Sequence, residues 1–445
     1  MTGQPNIRSK KQGLATRSAA VDLLLDVLHK KQPLDDALSE ALATPAVKKM
    51  EPRDRAFIRH IVSTCLRRYG QINHTISDYV QKPLPDKARK AKAILQIATS
   101  ECLFLNTPDH AVVNSAVDLA QQTTDTRPYK KLINAVLRRI VTNADAILSQ
   151  PHAAKHNVPQ WLLDSWAAAY GDPAVDGIIA AHLSEPPVDL SFKSRDQVTS
   201  YAGDLDGEIL PNESLRRFAG GQIETWPGFS DGHWWVQDAA ATLPVRLLGP
   251  VEGEEVIDLC AAPGGKTLQL AAKGADVISV DRSAGRLERL RENLARLALK
   301  AEVVQADVAT WKPGEKARFV VLDAPCSATG TLRRHPDIAI LKTQKDVVSL
   351  AKAQARLLSA AAKMTAPGGT LIYCTCSLQP EEGPEQVERF LSENKTWQRR
   401  PVTRDELPDL AEAISEKGDV RTLPHYWAKR GGMDGFFIAR LTAPL

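Results

Sequence analysis

Residues 256–266 read VIDLCAAPGGK: a β-prone run with an acid in it, then small residues, a Pro-Gly-Gly turn and a lysine. Val256–Leu259 has the length and apolarity of a buried strand, and Gly264-Gly265 marks a turn soon after its end. Outward from there lie four more such runs, Val277–Val280, Val303–Gln305, Phe319–Leu322 and Thr370–Tyr373. Between the second and third, Leu287, Leu290, Leu294 and Leu297 recur at helical spacing with Arg and Glu on the other face. Short strands alternating with helices predict a parallel α/β sheet.

Ligands of such sheets collect at the carboxyl ends of the strands. The first run delivers Cys260, Ala261, Ala262, Pro263, Gly264, Gly265 and Lys266 there, small residues that let a ligand approach the backbone ahead of a helix N-terminus. The second ends in Asp281, an acid able to accept both hydroxyls of a ribose, and the third leads to Asp307, suited to an adenine amino group. Together they predict a nucleoside-containing cofactor. The spacing matches neither a GxGxxG fingerprint nor a triphosphate loop, because Gly265-Lys266-Thr267 lacks the upstream glycine of the latter. The fourth and fifth runs lead to Asp323-Ala324-Pro325-Cys326-Ser327 and Thr375-Cys376-Ser377. As neighbours about 4.8 Å apart, those strands would bring two thiols together beside an acid. Cys374, inside its strand, is expected to be buried and without a role.

From Ala15 to about Ile140 the pattern is helical: Leu23 and Val27; Ile58, Ile61 and Cys65; Leu95, Ala98, Cys102 and Leu105; Val113, Ala116, Val117 and Ala120; Leu132, Val136 and Ile140. Pro83, Pro85, Pro108 and Pro128 punctuate it, which predicts a compact all-α domain with Cys65 and Cys102 packed inside. Residues 1–150 carry 23 Lys+Arg against 14 Asp+Glu, a net of +9, and the remainder carries 34 against 39, a net of −5. That asymmetry suits one module that grips a phosphate backbone and another that does something else. Between about 150 and 250 one short strand, Val188–Phe192, is expected, with Trp161 and Trp166 on a helix. Trp234 and Trp235 are read as packing rather than base stacking, and His152 and His156 as a surface pair rather than metal ligands.

The length of 445 residues suggests about three domains. Apolar residues make up 43%, and no run reaches the ~18 a spanning helix needs, which excludes a multi-span membrane protein. Six cysteines without a CxxC exclude a disulfide scaffold and a zinc knuckle, so no metal is expected. The first seventeen residues, with Arg8, Lys10, Lys11 and Arg17, are expected to be a solvated tail, and the compartment the cytoplasm.

The run Cys260–Lys266 (CAAPGGK), Asp281, Asp323–Ser327 (DAPCS) and Thr375–Ser377 (TCS) resembles the RNA 5-methylcytosine methyltransferases. The helical part, with Asp54-Arg55-Ala56-Phe57, Asn114-Ser115-Ala116-Val117 and Asn134-Ala135-Val136-Leu137-Arg138, resembles the RNA-binding antitermination factor NusB. Joined, the two resemble bacterial ribosomal RNA small-subunit methyltransferases over nearly the whole chain. The resemblance implies three domains: a NusB-like all-α RNA-binding domain at 1–148, a small α+β region at 149–235, and a Rossmann-like α/β methyltransferase domain at 236–445. It implies S-adenosyl-L-methionine as cofactor, held among Cys260, Ala261, Ala262, Pro263, Gly264, Gly265, Lys266, Asp281, Asp307 and Asp323. It further implies Cys376 as the nucleophile, Cys326 as the group assisting release, and Asp323 on the cytosine N3/N4 edge. The expected partner is 16S ribosomal RNA, the expected state a monomer.

Lys266 is the cation available in sequence to favour a Cys376 thiolate. Arg333, Arg334 and His335 are read as RNA contacts or a solvated loop. Two departures from the family stand out: Leu190-Ser191-Phe192-Lys193 lacks its Arg-x-Asn, which puts an RNA contact there in doubt, and Ala328 replaces a glycine that the loop should do without. The competing functions are a transfer RNA 5-methylcytosine methyltransferase and a non-catalytic RNA-binding assembly factor; a DNA cytosine methyltransferase is disfavoured because its nucleophile sits in the Pro-Cys motif.

Overall fold

The computed structural model describes residues 7–445 apart from 152 and 219, with the backbone alone for residues 7–11. The chain forms two compact units, one of residues up to Leu163 with His335–Lys342, the other of Asp164–Arg334 and Thr343–Leu445.

The first unit is helical, as its period dictates. Its main helices are Ile7–Lys30, Leu34–Ala43, Pro52–Arg67, Tyr69–Tyr79, Arg89–Phe104, Asp109–Gln122 and Lys130–Thr142. Leu23, Val27, Ile58, Ile61, Cys65, Leu95, Ala98, Val136 and Ile140 meet in its core. The last helix turns its Ile133 and Leu137 inward and leaves Leu132 half-buried, because its apolar stripe is broader than the sequence period alone suggested. The expected N-terminal tail is corrected from Ile7 onward: it is the start of a helix. Arg17 on that helix lies bidentate against the buried Glu101, Nε to Oε1 at 2.9 Å and an NH group to Oε2 at 2.6 Å. Burial raises the Glu101 pKa while Arg17 opposes the rise. Residues 335–342 join this unit through Ile340 and Leu341, which pack on its core, and through Asp337, which accepts the Leu34 N–H at 3.1 Å.

The second unit carries twelve strands among its described residues: β1 (Val188–Phe192), β2 (Glu208–Ile209), β3 (Leu215–Arg217), β4 (Trp234–Val236), β5 (Glu255–Leu259), β6 (Asp276–Asp281), β7 (Glu302–Gln305), β8 (Ala317–Asp323), β9 (Thr365–Thr375), β10 (Gln398–Arg399), β11 (Val420–Thr422) and β12 (Phe436–Thr442). The first four form an antiparallel sheet, ordered β2-β3-β1-β4, where one strand was expected. Two- and three-residue strands are too short to show a period. Trp234 and Trp235 are buried on β4, in keeping with packing. Arg216 of β3 is fully buried against Asp189 of β1, at 2.6 and 2.7 Å, and donates to the Arg430 and Gly432 carbonyls.

The large sheet runs β10-β12-β9-β8-β5-β6-β7, with β11 beside β12. The five contiguous strands β9-β8-β5-β6-β7 are the predicted ones and are parallel. The expectation of an all-parallel sheet is corrected at one edge, where β12 pairs antiparallel with β9. The connections from β5 lead away through β6 to β7, and then return to β8 on its other side. That reversal opens a crevice above β5 and β8, the place where open α/β sheets bind ligands.

The loop after β8 is tightly bound. Gly330 donates to the Cys376 carbonyl at 3.0 Å and lies so close to Gly435 that a Cβ would fall 2.0 Å from its oxygen. Ala328 holds φ +60°, the left-handed region.

Substitutions at two of these positions have opposite expected effects. Asp189→Ala leaves Arg216 buried without its counter-charge and should cost about 3–5 kcal/mol, read from the chemical denaturation midpoint. Ala328→Gly removes left-handed strain worth ~1–2 kcal/mol but adds unfolded-chain freedom, so it should stabilise by about 0.5–1 kcal/mol in the same measurement.

Candidate active site

The β5–β6 side of the crevice is built by the CAAPGGK turn. Cys260 sits at φ +59° and Gly264 at φ +113°, and a Cβ on Gly264 would lie 2.3 Å from the Leu290 side chain. Glycine is needed at 264 for its conformation and for close packing of the helix Ala284–Arg296, while Gly265 makes only ordinary contacts. The helix Gly265–Ala272 starts with no side-chain cap, so its first N–H groups have no side-chain partner of that kind. Asp281, at the end of β6, is buried; its carboxylate accepts from Ala262 N–H at 3.2 Å and Ser283 N–H at 2.9 Å. Asp307 is exposed beyond β7 and accepts from Ala309 N–H at 2.9 Å. Burial, reinforced by Asp281 and Asp323, pushes the Cys260 thiol up to about 12, which keeps it protonated.

These groups fit S-adenosyl-L-methionine. An uncapped helix N-terminus suits a carboxylate, a rigidly held acid suits a ribose diol, and an exposed acid suits an adenine amino group. Below them Asp258 is fully buried, with one oxygen on Thr267 at 2.6 Å and the other without a partner. Burial lifts its pKa to about 7, against the Thr267 hydrogen bond.

The β8–β9 side carries the thiols. Parallel pairing sets Asp323 against Cys374, so the chain beyond each strand turns over the same crevice. Cys326 Sγ and Cys376 Sγ stand 3.4 Å apart. The hydrogen bond with Cys376, then burial, raises the Cys326 pKa well above its ordinary value. Cys374 is buried within the strand, as expected, and burial raises its pKa strongly.

Lys266 does not serve Cys376. Its Nζ lies 2.7 Å from Asp323 Oδ2 and over the Phe436 ring at 5.1 Å. Burial works against its charge, but Asp323 overcomes it and the pKa rises. Arg334 is held charged by acids: desolvation opposes its charge, but Asp434 and then Asp238 raise its pKa. Arg334 binds Asp434 at 2.8 and 2.5 Å, and Arg333 is buried between Asp238 and Asp434. Arg333 is buried, which corrects the solvated-loop reading for it, and Arg334 is partly exposed and ion-paired. His335 meets Asp35 at 3.2 Å in the helical unit.

Sequence reading missed Glu382, a buried acid between the two thiol-bearing loops. Its signal, an acid six residues after Cys376 in LQPEEGPE, reads like an ordinary helix start. His152 lies outside the described residues, and His156 stacks on His74 with ring centroids 4.5 Å apart. Among the described residues no cluster of three His, Cys, Asp or Glu could hold a metal, and no helix is long and apolar enough to cross a membrane.

Comparison with known proteins shows the family. Residues 245–442 match the family described as 16S rRNA methyltransferase RsmB/F, and residues 14–142 match the NusB family. Ribosomal RNA small subunit methyltransferase B from Klebsiella pneumoniae subsp. pneumoniae is 35% identical, over 86% of this chain and 90% of its own. Its counterpart from Cronobacter sakazakii is 33% identical, over 97% and 99%. Among solved structures, PH0851 shares the fold with a TM-score of 0.73 at 21% identity, covering 99% of each chain. A methyltransferase homologue from Pyrococcus horikoshii has a TM-score of 0.54 at 25% identity, covering 64% of this chain and 95% of its own. With a NusB domain joined to this methyltransferase sheet, and identity above 30% across almost the full length of such relatives, the chain belongs to the ribosomal RNA small subunit methyltransferase B family.

Proposed function

We propose that this protein methylates carbon 5 of a cytosine in 16S ribosomal RNA through a transient covalent bond to Cys376. The observation that carries the reading is the pair of thiols 3.4 Å apart at the ends of adjacent strands, beside Asp323. Relatives that bear the small-subunit methyltransferase name support the substrate class.

The CAAPGGK turn, Asp281, Asp307 and Asp323 would hold S-adenosyl-L-methionine, which would supply an electrophilic methyl group when bound. Carbon 5 of cytosine is a poor nucleophile, so the Cys376 thiolate first adds to carbon 6 and turns the ring into an enamine. Asp323, paired with Lys266, is an acceptor for the N4 amino group and for N3 once the ring is protonated there. After transfer carbon 5 loses its proton to a base, the electron pair forms the C5=C6 bond, the C6–S bond breaks and Cys376 leaves as thiolate. Cys326, held as a thiol, assists by hydrogen bonding to the departing sulfur.

A cytosine must leave its stack to reach two thiols, so RNA selection falls to the other modules. We assign phosphate contacts to the net-positive residues 1–148, a supporting role to 149–235, and the chemistry to 236–445.

The test is incubation with tritiated S-adenosyl-L-methionine and small-subunit ribosomal RNA, with transfer RNA alongside. Label in ribosomal RNA, recovered as 5-methylcytosine, is expected. Label in transfer RNA alone would replace the substrate, and RNA binding without label in either would make the protein an assembly factor. Cys376→Ala should lower turnover by about 10³-fold or more, because nothing else performs the addition. Cys326→Ala should accumulate a protein–RNA adduct on denaturing gels; normal product release by that variant would remove Cys326 from the mechanism.

A further inference from the structure

Glu382 sits in the turn Pro380–Glu382 and is fully buried, yet nothing in the chemistry above uses it. Its carboxylate is saturated. Oε1 accepts from the Ser327 N–H at 2.9 Å and Gln354 Nε2 at 3.1 Å; Oε2 accepts from the Ser377 hydroxyl at 2.5 Å and from the Ser327 hydroxyl. Four donors fill the roughly four acceptor positions a carboxylate offers, leaving none for substrate. Ser327 follows Cys326 and Ser377 follows Cys376, so one group grips the residue next to each thiol. Glu382 is itself anchored from below: its carbonyl accepts the Tyr373 hydroxyl at 2.8 Å and the Thr375 hydroxyl at 3.2 Å, both from β9. Gln354 also donates to the Pro325 carbonyl at 2.9 Å, which ties the other loop a second time.

We propose that Glu382 is a positioning residue that sets the distance between the two thiols, by clamping Ser327 and Ser377 to a single carboxylate. Strand pairing stops at Asp323–Cys374, and beyond it the two loops are joined by separate bonds, Gly330 N–H to the Cys376 carbonyl at 3.0 Å and the Ser327 and Ser377 hydroxyls to each other at 3.1 Å, with Glu382 gripping both serines. Two sulfurs in adjoining loops need a common reference to stay at a fixed separation, and a buried acid whose partners all donate is such a reference. Its negative charge also counts among the groups that hold Cys326 as a thiol, after the hydrogen bond with Cys376, burial and the Cys376 charge.

Why the spacing matters rests on the roles proposed for Cys376 and Cys326, but the spacing can be measured without methyl transfer. Diamide joins two nearby thiols: two S–H bonds break, an S–S bond forms, and the reagent's N=N bond takes up both electrons and protons to become a hydrazine. The rate at which Cys326 and Cys376 are linked, identified by peptide mass, reads their separation in the full chain. Glu382→Ala should slow that linkage by about tenfold or more in folded protein and lower kcat far more than KM. Glu382→Gln should stay within about threefold of wild type in linkage, because both serine hydroxyls can rotate to accept from its amide. If Glu382→Ala fails to fold, Ser377→Ala, which removes one arm of the clamp and leaves three donors, should slow linkage about threefold. Linkage at the wild-type rate in a folded Glu382→Ala or in Ser377→Ala would overturn the proposal, as would a wild-type protein that does not link these thiols at all. An inactive wild type whose linkage depends on Glu382 would overturn the methylation reading and leave the clamp standing.

Discussion

Parallel pairing of β8 with β9 is what holds the site in place. The register puts Leu322 against Tyr373 and Asp323 against Cys374, and it survives an irregularity at the other end, where Ala317 pairs with Thr365 but Phe319 with Thr370. The extra residues on β9 are absorbed around Gly368, which holds φ +67°. Side chains alternate with a period of two, so the paired Asp323 and Cys374 share a face, and a slip of one residue in β9 would turn Cys374 and every other β9 side chain to the opposite face. Both flanks of the ladder are apolar and buried, with Val320, Leu322, Leu371 and Tyr373 on one side and Phe319, Val321, Ile372 and Cys374 on the other. That burial makes the slip costly and holds the two thiol loops to one place.

Around that ladder, buried charge gives the crevice its shape. Lys266 answers Asp323, Arg333 answers Asp238 and Asp434, Arg334 answers Asp434, and Arg216 answers Asp189. Such pairs add little net stability, since desolvation offsets most of their attraction. They do decide which cations remain for other work. Arg333 is committed to the interior, and Lys266 is committed to the acid.

The parts legible in sequence share one property: their signal is local. Five strands announced themselves as short apolar runs, and five helices of the first unit by apolar period and proline punctuation; Leu34–Ala43 and Tyr69–Tyr79 went unread. The turn at Cys260–Lys266 and the acids Asp281 and Asp323 lie where strand ends put them. What escaped was short or distant. Strands β2 and β3 have two and three residues, too few for a period. β12 carries no motif, and only its pairing with β9 shows that it closes the sheet edge antiparallel. Arg17 read as a tail residue because its partner, Glu101, is 84 positions away.

Fold class, the nucleoside-shaped strand ends and the two thiols could be read from the chain alone, because β-period, helix period and small-residue turns are properties of neighbours in sequence. The work of each charge emerged only on folding. Lys266 and Asp323 are 57 residues apart, Arg333 and Asp434 101, and Ser327 and Glu382 55. A charge or hydroxyl has many possible partners in sequence, and a buried one keeps whichever partner the packed sheet brings to it, because leaving it unpaired costs more than any local preference can repay.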